Sequence, residues 1–129
     1  MLVNLEQVLI LKKDKRGTIY NFSTRESSYF IVLYREKGSV SGNHYHKGTI
    51  KSKVPEIFYL ASGEIELLVR DIKTGKEERH IVQEKTKIEI PPYIYHEVKA
   101  LTDIILLDFN VSKEDFKGYE SDSVKSKNS

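Results

Sequence analysis

"EIFYLASGEIELLVRD", residues 56 to 71, decides the fold. In its second half Ile65, Leu67 and Val69 alternate with Glu64, Glu66 and Arg70, the period of a strand with one buried face, and only Leu68 falls out of step. The first half, dense in Ile, Phe, Tyr and Leu, reads as a second strand. "ASG" between the two reads as a tight turn, because Gly63 can adopt a positive φ at little cost. An antiparallel hairpin follows, and "KTGK" (73 to 76) marks the next turn through Gly75.

Working outward, further strand-like runs rich in Ile, Val, Tyr and Phe appear at "GTIYNF" (17 to 22), "SYFIVLYRE" (28 to 36) and "EERHIVQ" (77 to 83). Three more follow at "TKIEI" (86 to 90), "YHEVKAL" (95 to 101) and "DIILLDF" (103 to 109). With the two strands of the opening hairpin these make eight, which predicts an all-β sandwich or barrel. "VLIL" (8 to 11) lacks alternation, so it reads either as a strand covered on both faces, by a second subunit, or as an N-terminal strand folded onto its own sheet. The one helix expected is "SKEDFKGYE" (112 to 120), with Ser112 as N-cap, Glu114 and Asp115 in the first turn and Gly118 as the stop. "SDSVKSKNS" (121 to 129) is polar and nearly free of apolar anchors, so a flexible tail is expected after a single domain spanning 1 to 120.

A chain of 129 residues suffices for one core. Its 39% hydrophobic and 31% charged residues are those of a globular protein, and a net charge of +2 gives no nucleic-acid footprint. The absence of Cys excludes disulfides, thiolate catalysis and Cys-ligated metal, so any metal must use His, carboxylate or water. "MLVNLEQVLIL" has no basic flank and is broken by Asn4, Glu6 and Gln7, which argues against a signal peptide or membrane span; a cytoplasmic location is the expectation.

The chemistry gathers in three segments. His44 and His46 are two apart, so in a strand both imidazoles share a face while Tyr45 points away; by the same parity Glu56, Phe58 and Leu60 share a face. Pro91 and Pro92 mark a bend that leads to His96. Three imidazole nitrogens and one carboxylate oxygen, from His44, His46, Glu56 and His96, suit a divalent transition metal (Fe, Mn, Ni, Cu or Zn) with positions open to substrate. Tyr95 and Arg35 join His46 and His96 as candidate catalytic groups. Lys47, Lys51 and Lys53 read as a solvated loop, and His80 as part of an exposed strand face.

"GSVSGNHYH", "EIFYLASG" and "PPYIYH" together resemble the two motifs of the cupin superfamily, over residues 38 to 100. The resemblance implies a jelly-roll β-barrel with His44, His46, Glu56 and His96 as its metal ligands. Two positions depart from the pattern: nine residues separate His46 from Glu56, where three or four are usual, and Tyr93 stands where the second motif carries Gly. The longer gap is tolerable, since each doubling of a loop costs only about 0.6 kcal/mol. More narrowly, "KDKRGTIYNF" and "GNHYHKG" are similar to segments of cupins that isomerise or epimerise dTDP-sugars, often without metal; Ser41 and Glu56 depart from those enzymes and favour a metal.

The sequence therefore supports a metal-dependent small-molecule enzyme first, an isomerase or oxygenase acting on a ligand that is anionic or sugar-derived. The alternatives are a sugar-nucleotide isomerase or epimerase without essential metal, and a non-enzymatic ligand-binding module. A homodimer is expected.

Overall fold

The computed structural model describes residues 1–25, 29–48, 54–110 and 123–125. Its elements are twelve strands: β1 (Asn4–Gln7), β2 (Leu9–Asp14), β3 (Gly17–Asn21), β4 (Ile31–Arg35), β5 (Val40–His46), β6 (Glu56–Ser62), β7 (Glu64–Asp71), β8 (Glu77–Gln83), β9 (Thr86–Ile90), β10 (Ile94–Ala100), β11 (Ile104–Asp108) and β12 (Ser123–Lys125). One sheet runs β1-β9-β6-β11-β4 and a second runs β12-β5-β10-β7-β8, while β2 and β3 form a separate hairpin. Every strand pair is antiparallel.

The opening hairpin places its two strands in different sheets. β6 belongs to the first and β7 to the second, so the Gly63 turn is a corner between layers. A Cβ at Gly63 would lie 2.4 Å from the Asp103 carbonyl oxygen and 2.6 Å from Thr102 Oγ1, and its φ is +92°, so both space and backbone demand glycine there. The alternation read from sequence then fills the space between the layers. Ile65, Leu67 and Val69 from β7 are fully buried against Leu60 of β6, Ile88 and Ile90 of β9 and Leu106 of β11. Each such side chain contributes about 1.5–3 kcal/mol relative to exposure.

The all-β expectation holds among the described residues, with two corrections. No described strand pair joins the two five-stranded sheets, so the layers form an open sandwich and not a closed barrel. Residues 123–125, inside the expected tail, form β12 on the edge of β5, with Ser123 opposite His46 and Lys125 opposite His44. Edge pairing uses backbone groups and needs no apolar anchor, which is why composition gave no sign of it. The helix expected at 112–120 lies outside the described residues.

Candidate functional site

The site is assembled on β5, β6 and β10, and an irregularity in β5 aims it. His44 lies directly opposite His96, but Gly42 pairs with Glu97 and Ser41 with Val98, so Asn43 is an extra residue on the β5 side. This is a β-bulge, and Gly42 and Asn43 both take left-handed backbone, φ +85° and +63°. Without the extra residue, Ser41 and His44, three apart, would point to opposite faces; with it, both face inward. A Cβ on Gly42 would come within 3.0 Å of the His96 carbonyl oxygen and 3.5 Å of His96 Cδ2, so the bulge packs directly on the opposite histidine.

His46, Glu56 and His96 are buried and His44 is half-buried. One ligand atom from each of the four lies within 4.8 Å of all the others. The His46 Nε2 to Glu56 Oε1 distance is 2.9 Å, and His96 Nε2 lies 3.5 Å from the same oxygen. Backbone carbonyls orient two rings: His44 Nδ1 donates to Gly42 at 2.8 Å, and His96 Nδ1 donates to Ile94 at 3.2 Å. That tautomer leaves the lone pair on Nε2, the arrangement in which a histidine ligates a metal through one nitrogen and is oriented through the other. Two donors about 2.1 Å from one ion stand about 3.0–4.2 Å apart, so the widest pair must contract to share it. The donor set fits a divalent transition metal.

His96 is held below its ordinary pKa, first by burial, with the Glu56 carboxylate acting in the opposite direction and His44 and His46 reinforcing the drop. Phe58, on the inner face of β6, packs against it at 6.3 Å between ring centroids. The imidazole is therefore neutral near pH 7, the form that can accept a proton or bind an ion.

Tyr93 answers the departure noted in the second motif. Its φ is +62°, so it takes the left-handed backbone that glycine supplies elsewhere. Its N–H donates to the His46 carbonyl at 2.8 Å, tying the turn before β10 to the end of β5. Its ring lies 6.0 Å from that of Tyr45 and 4.5 Å from the Lys73 ammonium.

Tyr95 and Arg35 lie elsewhere. Tyr95 is adjacent to His96 in β10 and so faces out of the sandwich. There its hydroxyl bonds to Asn43 Oδ1 and, at 3.0 Å, to Glu97 Oε2, and Arg70 covers its ring at 4.7 Å. It supports the bulge from behind the sheet. Arg35 is exposed at the far end of β4, paired with Ile104, six strand residues or roughly 20 Å along the sheet from Glu56. His80 is half-buried and pairs with Glu78, which also accepts the Leu2 N–H. Lys47 is exposed, and Lys51 and Lys53 lie outside the described residues.

Two side chains near the cluster were not singled out from sequence. Arg25 donates to the Pro55 carbonyl, one residue before Glu56, and its guanidinium feels Glu56, Asp108 and Glu89. Asp108 is buried on the inner face of β11, opposite Phe58 in register, and accepts the Asn110 N–H at 2.8 Å. An Arg in "NFSTRES" has no periodic context to mark it. Asp108 ends an apolar alternating run on its inward parity, and that was the available signal.

An antiparallel two-layer sandwich with an inward histidine–carboxylate cluster defines a cupin-type protein. The chain belongs to the family described as polysaccharide biosynthesis C-terminal domain, whose profile matches residues 12–124. No curated protein matches the sequence. Among solved structures it is similar to a 3,4-ketoisomerase from Helicobacter canadensis, with TM-score 0.75, 15% identity and coverage of 99% of this chain and 93% of the other. It is also similar to a sugar 3,4-ketoisomerase from Thermoanaerobacterium thermosaccharolyticum in complex with TDP, with TM-score 0.71, 16% identity and coverage of 98% and 90%. A dTDP-4-dehydrorhamnose 3,5-epimerase from Sulfolobus tokodaii gives TM-score 0.63, 24% identity and coverage of 84% and 69%. These likenesses establish the fold.

Proposed function

We propose that this protein moves a proton on a carbonyl-bearing sugar nucleotide, as an isomerase or epimerase, at the cluster of His44, His46, Glu56 and His96. The observation that carries the reading is the convergence of these four groups within 4.8 Å, in a fold shared with sugar-nucleotide epimerases and ketoisomerases. The comparisons thus favour the reading that came second from the sequence over a general metal-dependent enzyme or oxygenase.

The chemistry follows from the residues. A carbon next to a keto group loses its proton to a base whose pKa lies near the working pH, and a neutral imidazole meets that need. His96, held neutral by burial, is suited to accept a proton. Glu56, beside both His46 and His96, stabilises whichever imidazole becomes protonated. Returning that proton to a different carbon, or to the other face of the same carbon, completes isomerisation or epimerisation.

The same four side chains are suited to hold a divalent transition metal. When bound, such an ion would polarise the keto oxygen as a Lewis acid. Fe, Mn, Ni, Cu and Zn all remain compatible with this donor set.

The test is incubation with a panel of dTDP-ketosugars, with and without EDTA, followed by NMR of the products. Conversion that survives EDTA assigns the proton transfer to the imidazoles alone; conversion that EDTA abolishes and Zn²⁺ or Mn²⁺ restores assigns a metal. Tight binding with no conversion of any panel member overturns the enzymatic reading in favour of a binding module.

A further inference from the structure

We infer that Asn110 is a positioning residue for Glu56: with Arg25 it holds the peptide units on either side of Glu56 and so sets where that carboxylate meets His46 and His96. The inference rests on the reading of this cluster as the functional site. Glu56 is the first residue of β6, and strand ends are where a chain ordinarily frays. Its ladder is one-sided. Glu56 pairs with Ile90 of β9, but toward β11 the register ends at Phe58 opposite Asp108, two residues short of Glu56.

Side chains take over where the ladder stops. The Ile57 N–H donates to Asn110 Oδ1, so a side-chain amide supplies the acceptor that a longer β11 would have offered as a carbonyl. On the same side the Phe109 N–H donates to the Ile57 carbonyl at 3.0 Å. One residue before Glu56, the Pro55 carbonyl accepts from the Arg25 guanidinium. The peptide unit entering Glu56 is thus held through its oxygen, and the unit leaving it through its nitrogen. Because each unit is planar, the two together fix φ and ψ of Glu56 and with them the direction of its Cβ.

Asn110 is itself built into place. It is 1% exposed, and its own N–H donates to the Asp108 carboxylate at 2.8 Å. Asp108, buried on the inner face of β11, is also one of the charges that Arg25 feels, so it links the two holders. What they protect is a short-range geometry. Glu56 Oε1 stands 2.9 Å from His46 Nε2 and 3.5 Å from His96 Nε2. Hydrogen bonds to nitrogen occupy a window of about 2.7–3.2 Å, so a shift of a few tenths of an ångström at the strand start is enough to exchange one imidazole for the other or to lose both. A misplacement of about 1 Å costs on the order of a hundredfold in rate.

A merely structural asparagine would cost stability when replaced and nothing more, so the test is a cycle with Glu56. Side-chain ¹⁵N–¹H spectra of the histidines at pH 8 are compared in chelator-treated parent, Asn110→Ala, Glu56→Gln and the double variant, with His80, paired to Glu78 in β8, as internal reference. Asn110→Ala should move the His46 and His96 ring signals as Glu56→Gln does, leave His80 in place, and add nothing further in the double variant. Asn110→Ser, whose hydroxyl is an acceptor one bond further from Ile57, should give smaller shifts of the same pattern, and it replaces the alanine variant in the cycle should that fail to fold. With any ketosugar the parent converts, kcat should fall ten- to a hundredfold in Asn110→Ala, with KM little changed and no added loss in the Glu56→Gln background. A parent that converts none would sink the proposed function and leave the ring signals to judge Asn110. Ring signals unmoved by Asn110→Ala, or moved equally with and without Glu56, would overturn the inference.

Discussion

Replacing Gly42 with alanine separates what the β5 bulge costs from what it aims. Gly42 and Gly75 share nearly the same backbone, φ +85° and +79°, but a Cβ at Gly75 meets nothing within 4 Å, whereas one at Gly42 stands 3.0 Å from the His96 carbonyl oxygen. Left-handed backbone costs an alanine about 1–2 kcal/mol, so Gly75→Ala should lose that much and no more. Gly42→Ala carries the same cost and must also push β10 away by a few tenths of an ångström. Its neighbour is backbone, which cannot rotate aside, and overpacking of this kind adds typically 1–3 kcal/mol. Urea unfolding of both variants at pH 8 reads the two totals, and equal slopes confirm that the midpoints report stability. The shift of β10 falls on His96 and on its partner across the bulge, His44, so Gly42→Ala should also lose most of its turnover of any accepted ketosugar, while Gly75→Ala keeps it. If the two variants are equally stable and equally active, the bulge does not hold the cluster and the account of β5 is wrong.

The buried imidazole makes stability depend on pH. The His96 pKa is depressed in the folded state, so the unfolded chain binds the extra proton first; in chelator-treated protein, stability should fall as pH drops below about 6.5, and His96→Gln should flatten that slope. Glu78 is held down to about 2, chiefly by the Leu2 N–H and then by His80, so its contribution is present above the ordinary carboxylate range and lost as pH falls toward 2; acid unfolding of Glu78→Gln should lack that component. Arg25→Gln removes a donor to the Pro55 carbonyl and a positive charge near Glu56 and Asp108. It should cost about 1.5–3 kcal/mol in thermal or urea unfolding, and a variant as stable as the parent would show that the arginine does not brace this strand start.

Where side-chain parity could be counted, the sequence was legible. The strict alternation of Ile65, Leu67 and Val69 fixed the inner face of β7, and the two-residue spacing of His44 and His46 put both inside. Tyr95 neighbours an inward histidine, so parity places it on the outer face of β10, while its chemistry was what recommended it. Arg35 could not be placed because its distance from Glu56 depends on which strands pair, and the order β6-β11-β4 is a long-range property that no local run encodes. The bulge at Gly42 and Asn43 was hidden for a related reason. An extra residue is visible only against its partner strand, although "SGN" before the histidines holds the two residue types that most readily take positive φ. Arg25 escaped because it acts through the Pro55 carbonyl, a contact thirty residues away along the chain.

The central claim is that the four converging side chains move a proton next to a sugar carbonyl. Incubating the protein with dTDP-4-keto-6-deoxyglucose and related ketosugars in deuterated water, and following the carbon-bound hydrogens by mass spectrometry, measures that step directly. The account predicts deuterium gain with at least one of these sugars, reduced a hundredfold or more in His46→Ala and His96→Ala and unchanged in Arg35→Ala. No incorporation into any of them, or incorporation undiminished in both histidine variants, would contradict it.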